Sequence, residues 1–120
     1  MENVKVKKEI VNQELKQKKK HYIDWKCIVR GQIYLAEMYD GIVQEVLVIS
    51  NNTGNFYSGV ITVVEVLNGK VDVTQMNTIS KKRLLAYVRT IGEESMKLIN
   101  HQIRVCIIGI DNMAAKPVAI

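Results

Sequence analysis

Between residues 30 and 58 the chain reads RGQIYLAEMYDGIVQEVLVISNNTGNFYS, two strand-like apolar runs joined by turns and closed by a polar, glycine-punctuated segment. The run Val46-Leu47-Val48-Ile49 has no polar interruption, which is the pattern of a strand covered on both sides. Tyr39-Asp40-Gly41 before it is a tight turn, and Asn51-Asn52-Thr53-Gly54-Asn55 after it has the composition of a loop, because Asn and Gly tolerate positive backbone angles. A chain so patterned must build a sheet first and dock helices on it.

The same grammar continues downstream. Residues 60–67, VITVVEVL, form the next predicted strand, and Asn68-Gly69 is a hairpin signal leading into residues 70–74, where Val71 and Val73 alternate with polar neighbours. After a short polar segment, residues 84–91 read as a further strand. Met96, Ile99, Ile103, Cys106 and Ile110 then fall at spacings of three and four, one apolar face of a helix over 93–110. Glu93 and Glu94 suit its positive end, and Gly109 suits its termination. The sole proline, Pro117, falls in a short predicted tail. Upstream, residues 26–38 are strand-like around Arg30-Gly31, a pair that suggests a bulge or close backbone approach. Strands followed by a packed helix favour a mainly β, α+β fold: a small antiparallel barrel with a C-terminal helix.

Residues 4–22 carry a sparse helical stripe of Val4, Val11, Leu15 and Tyr22 with Lys16, Lys18, Lys19 and Lys20 clustered late. They predict an extra N-terminal helix that must dock to be stable, so the chain divides into a basic extension, 1–26, and a barrel domain, 27–120. Residues 1–26 hold eight lysines against four acids, while the remainder has nine basic and eight acidic residues. A basic arm on a near-neutral body suits RNA or an acidic partner. Cys27 and Cys106 lack metal-ligand spacing and are expected as buried, reduced thiols in a cytoplasmic protein that needs no metal or other cofactor. No apolar run reaches the roughly 18 residues of a membrane span.

Four strings in order carry a family resemblance: Arg30-Gly31-Gln32-Ile33-Tyr34, Val46-Leu47-Val48-Ile49-Ser50-Asn51, Asn55 to Ser58, and Val88-Arg89-Thr90-Ile91. With a closing helix that ends Gly109-Ile110, the chain resembles the MazF/PemK superfamily of toxin ribonucleases over residues 28–110. The resemblance implies an SH3-like barrel that forms a homodimer, binds an antitoxin peptide and, in active members, cuts single-stranded RNA without a metal. In that chemistry a ribose 2'-hydroxyl attacks the adjacent phosphate, so a guanidinium and a hydroxyl donor are needed to offset charge growing on the phosphate oxygens.

The sequence departs from the family at that point. The family's Arg-Pro pair aligns with Gln44-Glu45, its threonine or serine aligns with Leu67 or nearby Val66, and the first loop is shorter than in typical members. No arginine lies between Gly31 and Lys81, whatever the register. Glu65 and Arg89 are the residues that could restore catalysis, with Thr62 as a hydroxyl donor; Glu65 could equally be an ion-pair partner of Arg30 or Arg89. Candidate nucleic-acid contacts are Arg30, Asn51, Arg89 and the cluster Lys81-Lys82-Arg83, beside which Trp25, Tyr57 and Tyr87 could supply stacking surface. His101 falls on the polar face of its helix, and His21 ends the basic arm. The expected function is RNA or peptide binding on a toxin scaffold with cleavage weakened or lost. A working endoribonuclease and a pure interaction module are the alternatives.

Overall fold

The computed structural model describes residues 23–109 and 117–120. Six strands form one sheet in the order β5-β1-β2-β3-β4-β6, all neighbours antiparallel: β1 (Gln32–Tyr39), β2 (Ile42–Val48), β3 (Val60–Leu67), β4 (Lys70–Ser80), β5 (Leu84–Thr90) and β6 (Val118–Ala119). Two helices interrupt them, α1 (Asn52–Tyr57) and α2 (Glu93–Ile103), the latter extended by a wider π-type turn over Arg104–Ile108. The expected barrel-like α+β architecture with a C-terminal helix is present, whereas the expected N-terminal helix lies outside the described residues.

Side chains that alternate along the strands supply two apolar clusters, one on each face. Tyr34, Ala36, Val46, Val48, Ile61, Val63, Ile79 and Leu84 form the first, against which Ile23 and Trp25 pack. Ile33, Leu47, Val64, Val71, Val73 and Ile91 form the second, which also takes Ile99 of α2 and Val118 of β6. The uninterrupted Val46–Ile49 run is explained by this arrangement, since both of its faces are buried. Met96, Ile103 and Cys106 flank Ile99 on the same side of the helix, as their spacing requires, and His101 is exposed. Gly109, with φ of 78°, ends the helix in the left-handed conformation that favours glycine.

Several local expectations are corrected. Residues 51–55 are not a loop: Asn51 caps α1 by accepting from the Gly54 amide at 2.8 Å, so the same polar residues start a helix. The polar segment after Thr74 is the second half of β4, which pairs with Val60–Val64 of β3 and is polar because that stretch is largely exposed. Residues beyond Pro117 form β6 rather than a loose tail, paired to Lys70 and Val71. Strand β1 begins at Gln32, and Gly31 turns the chain into it with φ of 94° while facing Met96 Sδ at 3.5 Å from where a Cβ would stand. Cys27 is exposed in a turn ahead of β1, and Cys106 is half-buried, so neither is the fully buried thiol expected.

Ile99 is the fully buried link between α2 and the sheet. Ile99→Ala is expected to lower unfolding free energy by about 2–5 kcal/mol in a urea titration, with an unchanged m-value if the helix still docks.

Candidate functional site

The register of β2 against β3 locates the positions at which the family resemblance would place its chemistry. Val46 faces Glu65, Leu47 faces Val64 and Val48 faces Val63. The ladder ends at Val46 and Glu65, so Gln44 and Leu67 lie two residues past it, toward the same end of the sheet, without being paired. Gln44 is half-buried, and Leu67 is 57% exposed. Neither brings a charge.

Beside Leu67 the β3–β4 ladder breaks. Val64 pairs with Met76, but Val66 pairs with Val71, so β4 carries extra residues between those two points. The bulge opens a cavity of about 640 Å³ lined by Glu65, Leu67, Asn68, Lys70, Asp72 and Gln75, among others. Asp72 is held there by accepting from the Thr74 hydroxyl at 2.6 Å and the Thr74 amide at 3.0 Å. Glu65 shares its face with Val63 and Leu67, and its Oε1 is buried with no hydrogen-bond partner among the described residues. Two carboxylates against one lysine make this a poor place for a phosphate. Thr62, three residues along the strand, points to the opposite face and meets Thr78 Oγ1 at 3.3 Å, so it does not join Glu65.

Three arginines, Arg30, Arg83 and Arg89, are committed to main-chain oxygens. Arg30 donates from Nε to Ile49 O at 2.8 Å, while its own amide donates to Asn52 Oδ1 at 2.7 Å. Burial pulls its guanidinium below its ordinary pKa. Arg83 donates to the carbonyls of Glu37 and Met38 at 3.1 and 3.2 Å. Arg89 donates to Ile120 O at 3.3 Å, and Ile120 in turn donates to Gly69 O at 2.9 Å, so one residue bridges β5 to the β3–β4 turn. The ion pairs of Glu65 with Arg30 or Arg89 are therefore not made. Asn51 is used as the α1 cap.

The Lys81-Lys82-Arg83 cluster splits. It forms a single 3-10 turn capped by Ser80, whose hydroxyl accepts from the Lys82 amide at 3.2 Å. Lys81 turns inward, and with Trp25, Tyr57 and Lys82 it lines a second cavity of about 310 Å³. Tyr87 lies elsewhere, edge-on to Tyr34 with ring centres 5.8 Å apart, in a third cavity shared with Asp24, Cys27 and Gln32. There the Cys27 thiol donates to Asp24 Oδ2 at 3.2 Å; that bond raises the thiol's pKa, and a hydrogen bond from the Lys26 amide is the main cause that lowers Asp24's.

Sequence reasoning missed two features. Asn55 is fully buried: its amide donates to Ser50 O at 2.9 Å, and its oxygen accepts from the Ser50 hydroxyl, which itself accepts from the Thr62 amide. Nothing in an Asn-Gly-rich string marks one asparagine as internal. The inward turn of Lys81 had a signal, since it lies two residues beyond Ile79, which is buried.

No family model matches the chain, and no curated protein matches it by sequence. Among solved structures, an endoribonuclease from a mycobacterial species, held in complex with its cognate antitoxin, superposes with a TM-score of 0.60 at 23% identity, covering 65% of this chain and 90% of that one. A second mycobacterial endoribonuclease superposes with a TM-score of 0.56 at 18% identity, covering 67% and 88%. This chain shares the fold of these two endoribonucleases. No helix among the described residues is long and apolar enough to cross a membrane.

Two expected outcomes follow from the geometry. Removing the internal amide in Asn55→Ala takes away the bond to the half-buried Ser50 carbonyl and the acceptor of the Ser50 hydroxyl, and is expected to cost about 1–3 kcal/mol, read by thermal or urea unfolding. Burial, with a smaller contribution from Tyr87, pushes the Tyr34 phenol up to about 12 from 10.0. The folded chain thus binds this proton more tightly than the unfolded one. Its stabilising effect is complete below pH 10 and is lost as pH rises to about 12. Tyrosinate absorbance should show a late ionisation that Tyr34→Phe removes.

Proposed function

We propose that this chain is a divergent MazF/PemK-like toxin-family protein that binds single-stranded RNA, with cleavage weakened or lost. The observation that carries the reading is that Gln44 and Leu67, where the resemblance calls for a guanidinium and a hydroxyl, lie toward the same end of the β2–β3 register, and Leu67 lines a cavity that also holds Glu65 and Asp72. Loss of one transition-state donor lowers rate by about 100- to 1,000-fold. Here both are replaced, and two carboxylates disfavour the phosphate itself. The rearranged set of Arg89, Glu65 and Thr62 gains no support, because Arg89 holds Ile120 and Thr62 faces away from Glu65.

Binding is supported by the net charge of +5 and by a lysine-lined cavity with aromatic walls. An antitoxin-like peptide is the second partner in this reading, since a neighbour of the same fold holds its cognate antitoxin. A homodimer belongs to it as well, for which Leu98, Ile107 and Ile108 offer exposed apolar surface.

The test is incubation with long single-stranded RNA in chelator, beside a gel shift at rising salt. The expected result is a salt-sensitive shift with the RNA left intact, because phosphate contacts release counterions. Gln44→Arg with Leu67→Thr is expected to introduce cuts. Specific cutting by the natural chain that disappears in Arg89→Ala would overturn the reading.

A further inference from the structure

The cavity at Trp25 differs from the one at Glu65 in sign and in walls. Three separate segments build it. The turn at Asp24–Cys27, tied by the Cys27 amide to Asp24 O at 2.9 Å, holds Trp25, whose ring packs on the first apolar cluster. The end of α1 presents Tyr57, 80% exposed and edge-on to Phe56 with ring centres 4.8 Å apart. Gly59 follows, and its carbonyl accepts from the Lys81 amide at 3.1 Å, which fixes the α1 exit against the 3-10 turn. Ser58 and Ser80 complete the lining with Lys82, and no acid is among the described lining residues.

Lys81 is the unusual member. It is 7% exposed, one of two buried polar or charged residues among those described, and the other, Asn55, is fully hydrogen-bonded. No side-chain hydrogen bond holds the Lys81 ammonium among the described residues, and Glu65 Oε1, not Lys81 Nζ, is the buried polar atom left unpaired there. The buried part is the aliphatic stem, and the charged head stands at the open side of the cavity, where an anion that enters can meet it. At about 310 Å³ the space lies at the small end of ligand pockets, enough for one planar ring and its charged group and too small for a helix or a folded peptide. Aromatic faces together with a lysine and hydroxyls match a nucleotide: a base has a π-face to stack, and a phosphate has the charge to pair.

We propose that this cavity takes one nucleotide of a bound single-stranded RNA, its base against Trp25 and Tyr57 and its phosphate on Lys81. The inference rests on the RNA-binding reading above, but it places the contact away from the Gln44–Leu67 end of the sheet. It makes the cavity an anchor for the strand.

Trp25 is the chain's only tryptophan, so its emission reports on this cavity alone. The full chain is titrated with a short oligouridylate and, separately, with uridine monophosphate, with a parallel gel shift. The expected result is saturable quenching by the oligonucleotide, weakened roughly ten-fold or more in Tyr57→Ala, where a stacking surface is lost. Lys81→Met is expected to weaken binding and reduce the salt slope by about 0.7, the value for one phosphate contact to a single strand. Because Lys81 is buried, its variant is first checked by circular dichroism; the exposed Tyr57 keeps the test alive if that variant does not fold. A gel shift with unmoved Trp25 emission and unaltered binding by Tyr57→Ala would overturn the cavity assignment while leaving RNA binding standing. Quenching by the mononucleotide without any oligonucleotide shift would support the cavity and overturn the RNA reading. No response in either assay would overturn both.

Discussion

The pairing of β2 with β3 is the constraint on which the molecule depends. Three matched positions, Val46 with Glu65, Leu47 with Val64 and Val48 with Val63, sort alternate side chains into two apolar clusters. A slip of one residue would send every one of them to the wrong face. The same register decides chemistry, because it puts Gln44 and Leu67 toward one end of the sheet and pins Glu65 at the break in the next ladder. Core and candidate site are thus set by one hydrogen-bonded pairing.

Cation bookkeeping explains how this scaffold differs in kind from a phosphate-cutting site. Arg30, Arg83 and Arg89 satisfy main-chain oxygens, a structural use to which a planar guanidinium with several fixed donors is well suited. Lysine is a single mobile charge, and Lys81 is left with its ammonium uncommitted. Positive charge available to a ligand has moved from the sheet end, where carboxylates gather, to the junction of α1 with the 3-10 turn.

Strands, their order and the docked helix were legible because period-two and period-3.6 patterns of apolar residues are properties of the chain itself. Gln44 and Leu67 were singled out by the family resemblance, not by periodicity. The second half of β4 was not legible: its Gln75, Asn77 and Thr78 are exposed, so no burial pattern marks them as strand. The helical start at Asn51 was hidden by its composition, since asparagine serves loops and caps alike. Hydrogen-bond choices of long side chains were beyond reach altogether. Arg89 and Ile120 are 31 residues apart, and only the closed fold makes them neighbours.

The strand order also has a temporal side. Strands β1 to β4 pair with their immediate successors through short connections, whereas β5 must return across the whole meander to lie along β1. Closing that long loop comes late in entropic terms. On a ribosome, the outer edge of β1 stays open until residues 84–90 have emerged, an interval in which another strand could add to it.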